Sequence, residues 1–93
     1  MPNSQAYYTT YQHLPEKLAE TYPNLRFDNH CYLRIALDNT FQAKWDTVID
    51  RPAYKTINPE QKATVLKLLN SYLVDRALLM SHNRLSLTWR NKI

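Results

Sequence analysis

Apolar positions recur at helical spacing through most of the chain, and five prolines divide it into three blocks. The first block covers residues 4–21, and either Asn3 or Ser4 can cap it. Its apolar positions, at steps of three and four, are Tyr7, Tyr11, Leu14, Leu18 and Tyr22. Pro15 removes a backbone donor inside the block, so the pattern predicts a break there, either a kink or two short helices.

The second block, residues 29–50, predicts one helix, because no proline interrupts its helical period before Pro52. The predicted apolar arc contains His30, Leu33, Arg34, Leu37, Phe41, Lys44, Trp45 and Val48. The acidic residues of this region are predicted to lie on a solvated face: Asp28, Asp38, Asp46 and Asp50. Their spacing suits neither a metal site nor a pair of catalytic carboxylates, so we expect no metal.

The third block, residues 59–82, has the clearest helix start of the sequence. Asn58-Pro59-Glu60-Gln61 supplies an N-cap, a proline in the first helical position, an acid in the first turn and a glutamine for a capping box. Asn83 is predicted to end the helix as a left-handed C-cap. Residues 84–93 are short and basic, and the pattern leaves an extended docked tail, a short strand and a last helical turn open.

These blocks predict an all-α fold, a small bundle of three to four helices with a short basic C-terminal tail. Domains usually contain about 100–200 residues, so residues 1–93 are expected to form a single domain. The chain contains no glycine. Glycine permits the tight turns that cradle nucleotide phosphates, so its absence excludes a P-loop and a dinucleotide-binding turn. We therefore expect no cofactor.

The single cysteine and the hydropathy pattern bear on the compartment. Cys31 has no second cysteine to pair with, and we expect it to be buried and inert. Residues 1–11 do not resemble a secretory leader, and the longest aliphatic run, residues 77–80, is far shorter than a membrane span. The sequence therefore predicts a cytoplasmic protein without a membrane partner.

Three basic residues on predicted apolar faces are candidates for a site that binds a small anion. His30 and Arg34 lie four residues apart in the second block, and Arg76 lies among leucines in the third. Buried polar groups need partners, and an imidazolium beside a guanidinium suits a phosphate or a carboxylate. The alternative is structural, with Arg34 and Arg76 paired to acidic residues of neighbouring helices. No residue is predicted to be catalytic.

Positive charge is concentrated in the C-terminal half of the chain. Residues 1–50 carry four Lys or Arg and six Asp or Glu, whereas residues 51–93 carry eight and two. This asymmetry favours a salt-sensitive nucleic-acid interface as one hypothesis. Its candidate residues are Lys62, Lys67, Arg84, Trp89, Arg90 and Lys92. The alternative is that the two halves neutralise one another across the bundle.

Two apolar residues on the polar side of the third block favour a protein partner. Val74 and Leu78 lie where the bundle itself needs no apolar contact, so a second surface is expected to cover them. The leading hypothesis is therefore a small non-enzymatic helical binding module. Its partner is expected to be a protein, with a second copy of the chain included.

Part of the chain resembles known sequences. The residues that carry the resemblance are Cys31-Tyr32-Leu33-Arg34-Ile35-Ala36-Leu37-Asp38-Asn39, Trp45-Asp46 and Arg51-Pro52-Ala53-Tyr54. Over about residues 25–90 the chain resembles small bacterial proteins of unassigned function, some of which carry an acetyltransferase label. The resemblance implies acetyl transfer. The third hypothesis, beside protein binding and nucleic-acid binding, is therefore an enzyme. It would catalyse either acetyl transfer or a reaction of a small anion at the anion candidates.

Overall fold

The computed structural model describes the backbone of residues 4–25, 27 and 29–92, and the side chains of residues 13–25, 27 and 30–92. The secondary structure of this part is helical, without a strand, so the predicted all-α class is confirmed. In chain order the helices are α1 (Ser4–Thr21), α2 (Asn29–Phe41), a 3₁₀ turn (Trp45–Thr47), α3 (Ala53–Thr56), α4 (Pro59–Val74) and α5 (Arg76–Trp89).

The first block forms one helix, α1, so the alternative of two short helices is wrong, whereas a kink at Pro15 stays a prediction. The ring of Pro15 is fully buried, and Leu14 and Leu18 beside it belong to the core. Burial of this apolar face offsets the cost of the missing backbone donor. The predicted stripe is correct for Leu14, Leu18 and Tyr22, and the side chains of its first two tyrosines lie outside the described residues.

The second helix is shorter than predicted, because α2 ends at Phe41 and does not reach residue 50. Gln42 adopts a left-handed backbone conformation with φ 54°. The Ala43 N–H group then donates to the Asp38 carbonyl at 3.2 Å, which is the closing bond of a Schellman motif. A glutamine gives no sequence signal for this ending, which glycine usually provides.

The segment between α2 and α4 is held by a cluster around Asp46. Arg51 donates to the Asp46 carboxylate through Nε at 3.2 Å and also through Nη2, and its guanidinium lies 5.5 Å from the centre of the Trp45 ring. The hydrogen bond from Arg51 is the main cause that holds the pKa of Asp46 below its ordinary value. Asp46 is therefore paired and only 12% exposed, although the sequence placed it on a solvated face. The Arg51–Pro52 peptide bond is cis.

The third block is divided at Asp75 into two helices, and the single helix predicted over residues 59–82 is wrong. Helix α4 starts as predicted, with the reciprocal capping box of Asn58 and Gln61 at 2.8 and 3.0 Å. Asp75 is both the C-cap of α4 and the N-cap of α5, and its carboxylate accepts from the Leu78 N–H group at 2.9 Å. An aspartate that caps a new helix stabilises this change of direction.

The residues predicted as a tail belong mainly to α5, which continues to Trp89. Asn83 lies inside this helix, so its predicted role as a C-cap is wrong. The left-handed residue is Asn91, with φ 58°, and the Lys92 N–H group donates to the Leu87 carbonyl at 2.8 Å. Leu79 and Ser86 are buried, which explains why the segment docks as a helix.

Helices α2 and α4 form the centre of the bundle, and each packs against both α1 and α5. The core is made of buried residues from the helices and their connections: Leu14, Leu18, Tyr32, Ile35, Ala36, Leu37, Ala53, Ile57, Val65, Leu69, Tyr72 and Leu79. Tyr32, Ile35 and Ala36 were not on the arc that the periodicity predicted for α2. Because α2 contacts three helices, its buried surface is wider than one stripe.

Candidate binding surfaces

A fully buried carboxylate, Asp38, joins α2 to the C-terminal end of α5. Its Oδ2 atom accepts from Ser86 Oγ and from Arg90 Nε, each at 2.6 Å. Its Oδ1 atom accepts from Arg90 Nη2 and from the backbone N–H group of Trp45, each at 3.0 Å. The sequence placed Asp38 on a solvated face, and this prediction is wrong because α5 covers that side of α2.

The same contact decides the role of Arg90, which was a candidate for nucleic-acid binding. Its guanidinium forms a two-pronged ion pair with Asp38, and its side chain is only 17% exposed. The Asp38 carboxylate balances the charge of Arg90 inside the bundle, which leaves less net attraction for an external phosphate. Arg90 therefore belongs to the internal structure of the bundle.

Arg34, the first of the anion candidates, lies half-buried at the α2–α5 interface. Its Nη2 atom donates to Asn83 Oδ1, while its buried Nε atom has no hydrogen-bond partner. Among the described residues no carboxylate lies within ion-pair distance of Arg34. The structural alternative for this residue, a salt bridge to another helix, is therefore absent from the described part of the chain.

The other two anion candidates are exposed. His30 lies in the first turn of α2, one turn before Arg34 on the same side of the helix. Arg76 is the first residue of α5, and its predicted burial is wrong because the break at Asp75 changes the direction of the helix there. Arg76 and Asn83 are seven residues apart, or about 10 Å along the helix axis. No described hydrogen bond joins Arg76 to Arg34, and the sequence left open whether the two residues meet.

A second polar cluster lies where α4 meets α5. The hydroxyl group of the buried Tyr72 lies 2.7 Å from His82 Nδ1, and their rings meet edge to face. The hydroxyl group of Tyr22 donates to the Tyr72 carbonyl at 2.7 Å, and Asn39 donates to the His82 carbonyl at 3.0 Å. Burial raises the pKa of Tyr72 and lowers that of His82, so the neutral forms are favoured. The cluster connects α2, α4, α5 and the end of α1.

The side of α5 that faces away from the bundle carries one cation, Arg84, and no acid. Its exposed residues recur at helical steps and define what we call the α5 outer face: Ala77, Ser81, Arg84, Leu85 and Thr88. Lys92 is exposed just beyond it. Asp75 is the last acidic residue of the sequence, so no carboxylate of α5 itself offsets these charges. Leu85 is 42% exposed.

The two interface candidates differ in their surroundings. Val74, the last residue of α4, is 88% exposed, which is extreme for a large apolar side chain. Leu78 is partly buried and packs against the core, so its position on a polar side was predicted wrongly. The change of helix direction at Asp75 explains the difference, because it rotates Leu78 inward.

The remaining nucleic-acid candidates are distributed over α4, α5 and the residues just after α5. Lys67, Arg84 and Lys92 are exposed, whereas Lys62 and Trp89 are half-buried. Within the described residues no ion pair involves Lys67, Arg84 or Lys92. These three cations are therefore available to an external anionic surface.

Other chemistry finds little support in the described part of the chain. No group of three His, Cys, Asp or Glu residues that could hold a metal occurs among those residues. Cys31 is half-buried, so the burial predicted for it is only partial. No helix of the described residues is sufficiently long and apolar to cross a membrane.

Sequence reasoning missed the buried contacts of Asp38 and the cluster of Tyr72 and His82. Both join residues about ten to fifty positions apart, and helical periodicity carries no information on which residues of two helices meet. The chain matches no family model, no curated protein and no solved structure.

Proposed function

We propose that this chain is a small non-enzymatic helical binding module that docks an acidic protein partner through the α5 outer face. The observation that carries the proposal is that cations without an ion pair lie near exposed apolar side chains in the described part of the chain. Arg84 and Lys92 lack an ion pair among the described residues, and Leu85 lies on the same face. Val74, the last residue of α4, is exposed and is separated from α5 by Asp75.

This composition fits a protein partner better than a phosphate backbone. Protein interfaces are enriched in arginine and have an apolar core, and the outer face places Arg84 beside Leu85. A phosphate backbone, in contrast, is recognised mainly by numerous cations. Arg90 contributes less to such a surface, because its charge is balanced by Asp38.

The size of the face sets the expected affinity. Helix α5 contains 14 residues, which corresponds to about 21 Å of helix with a face about 10 Å wide. An area of about 200 Å² is well below the roughly 800 Å² per partner of a stable complex. We therefore expect the outer face alone to support weak, salt-sensitive binding, strengthened where the partner also covers Val74.

The test uses a helical peptide of glutamate and leucine as the probe, with a polyglutamate peptide and a single-stranded oligonucleotide for comparison. Binding is followed by the fluorescence of the two tryptophans at low and high salt. Preferential binding of the glutamate–leucine peptide, weakened by salt, supports the proposal. Preference for the oligonucleotide refutes the proposal in favour of nucleic-acid binding. Absence of binding to any probe refutes both protein binding and nucleic-acid binding by this surface.

Substitutions identify the surface. Arg84→Glu and Leu85→Ser are each expected to reduce binding of the glutamate–leucine peptide at least fivefold. Lys17→Glu is the matched control, because Lys17 is also an exposed cation but lies on α1. An equal loss in the Lys17 variant refutes a defined surface. Light scattering of the chain alone completes the test, since a dimer abolished by Val74→Ser identifies a second copy as the partner.

A further inference from the structure

We infer that Arg34 and Asn83 form a binding site for a small oxyanion, a phosphate or a carboxylate, at the α2–α5 interface. His30, one turn before Arg34, flanks this site. The inference goes beyond the proposed function, because it uses neither the α5 outer face nor Val74. It rests on the contacts, burial and charge of these three residues.

Arg34 differs in the type of its acceptor from the other arginines whose side chains form described hydrogen bonds. Arg90 is paired with the carboxylate of Asp38, and Arg51 with that of Asp46. Arg34 has only a neutral amide oxygen, Asn83 Oδ1, as its acceptor. A half-buried cation has lost part of its hydration, so the absence of a counter-ion among the described residues is unfavourable. An external anion would remove this cost.

The geometry prepares Arg34 for an anion. The Nε atom is buried, so the exposure of the side chain falls on its outer part, where the terminal nitrogens lie. The bond from Nη2 to Asn83 fixes the plane of the guanidinium and leaves the Nδ2 group of the same amide to donate to a ligand. A planar guanidinium that is already held loses little entropy on binding an oxyanion.

His30 supplies a second donor on the solvent side. On a helix, residues four apart lie about 5–6 Å apart on the same face, so an oxyanion on Arg34 is within reach of the His30 ring. His30 is exposed, whereas Arg34 is half-buried. We therefore expect a ligand to enter from the start of α2, with one oxygen on Arg34 and Asn83 and another towards His30.

The direct test follows the Nε–H group of Arg34 by ¹⁵N NMR during titration with sodium phosphate. The buried Nε atom is protected from exchange, so its signal is expected to be visible in the intact protein. A saturable shift of this signal, absent in sodium chloride of equal ionic strength, supports the site. A shift that merely follows ionic strength refutes it. Sodium acetate distinguishes a general oxyanion site from one that requires phosphate.

A substitution provides the second measurement. Arg34→Gln removes the charge and retains a side chain that can bond Asn83, and we expect it to weaken phosphate binding at least tenfold in calorimetry. Lys17→Gln, the same loss of charge on the exposed side of α1, is expected to bind as the native protein does. Equal weakening in both variants refutes the inference. Binding of the glutamate–leucine peptide by Arg34→Gln tests the proposed function separately.

Discussion

Replacement of Asp38 by asparagine tests the part of the structure that joins α2 to α5. The substitution preserves the size of the side chain and one oxygen that can accept from the Trp45 N–H group. It removes the negative charge and turns the other oxygen, which accepts from Ser86 and from Arg90 Nε, into an amide group. Arg90, only 17% exposed, is then left beside a donor.

The expected loss follows from the number and type of the bonds. A hydrogen bond to a charged group contributes about 1.5–3 kcal/mol, and two such bonds converge on Oδ2 of Asp38. Removal of one partner of a buried ion pair costs about 3–5 kcal/mol. We therefore expect Asp38→Asn to lower the free energy of unfolding by about 3–5 kcal/mol. The free energy of unfolding of a domain is about 5–15 kcal/mol, so the expected loss is a large fraction of the total stability.

The assay is urea unfolding followed by circular dichroism and by the fluorescence of the tryptophans. Asp50→Asn is the matched control, because Asp50 is exposed, and we expect it to change the free energy by less than about 0.5 kcal/mol. The double variant of Asp38→Asn with Arg90→Met is expected to lose less than the sum of the single variants, since both remove one pair. A loss below about 1 kcal/mol in Asp38→Asn refutes the reasoning.

Three further predictions concern the left-handed residues, His82 and the start of α4. Gln42→Gly is expected to stabilise the protein by about 0.5–1 kcal/mol in urea unfolding, because glycine adopts a left-handed backbone conformation without steric strain. Asn91→Gly is expected to stabilise the protein by less, because asparagine tolerates this conformation. Equal gains would contradict this. Burial lowers the pKa of His82 in the folded protein from its ordinary value of 6.5, so the unfolded chain binds a proton more readily than the folded protein does. The free energy of unfolding is therefore expected to fall as the pH drops below about 6.5. His82→Asn is expected to flatten this dependence, whereas the exposed His13→Asn is not, and an unchanged slope in the first variant would refute the assignment. Asn58→Ala is expected to cost about 1 kcal/mol through loss of the capping box, and a cost near zero would show that the box does not stabilise α4.

The start of α4 could be predicted from sequence because its signal is local. Asn58, Pro59 and Gln61 act within one turn, so the residues that form the cap are also adjacent in the chain. The helical class was predictable for the same reason, since periodicity is a property of short windows. Helix ends without proline or glycine were not predictable. Nothing distinguishes Gln42 from other glutamines until the backbone turns there.

The break at Asp75 shows why the site was harder to predict than the fold. Aspartate inside an apolar period is read as a polar position of one continuous helix, yet here it caps a second helix. Arg76, just beyond it, was therefore assigned to the apolar face of one continuous helix and was expected to be buried. Asp38 and Arg90 posed a further difficulty, because their meeting depends on how α5 lies against α2.

The distance in sequence between Asp38 and Arg90 has a consequence for synthesis. Their bond spans 52 residues, and chains grow at about 5–20 residues per second. Asp38 is therefore synthesised about 3–10 s before Arg90. During this time the residues of α2 cannot pack around the Asp38 carboxylate without burying an unpaired charge. The nascent chain is thus expected to remain loosely folded around α2 until the end of α5 has emerged from the ribosome.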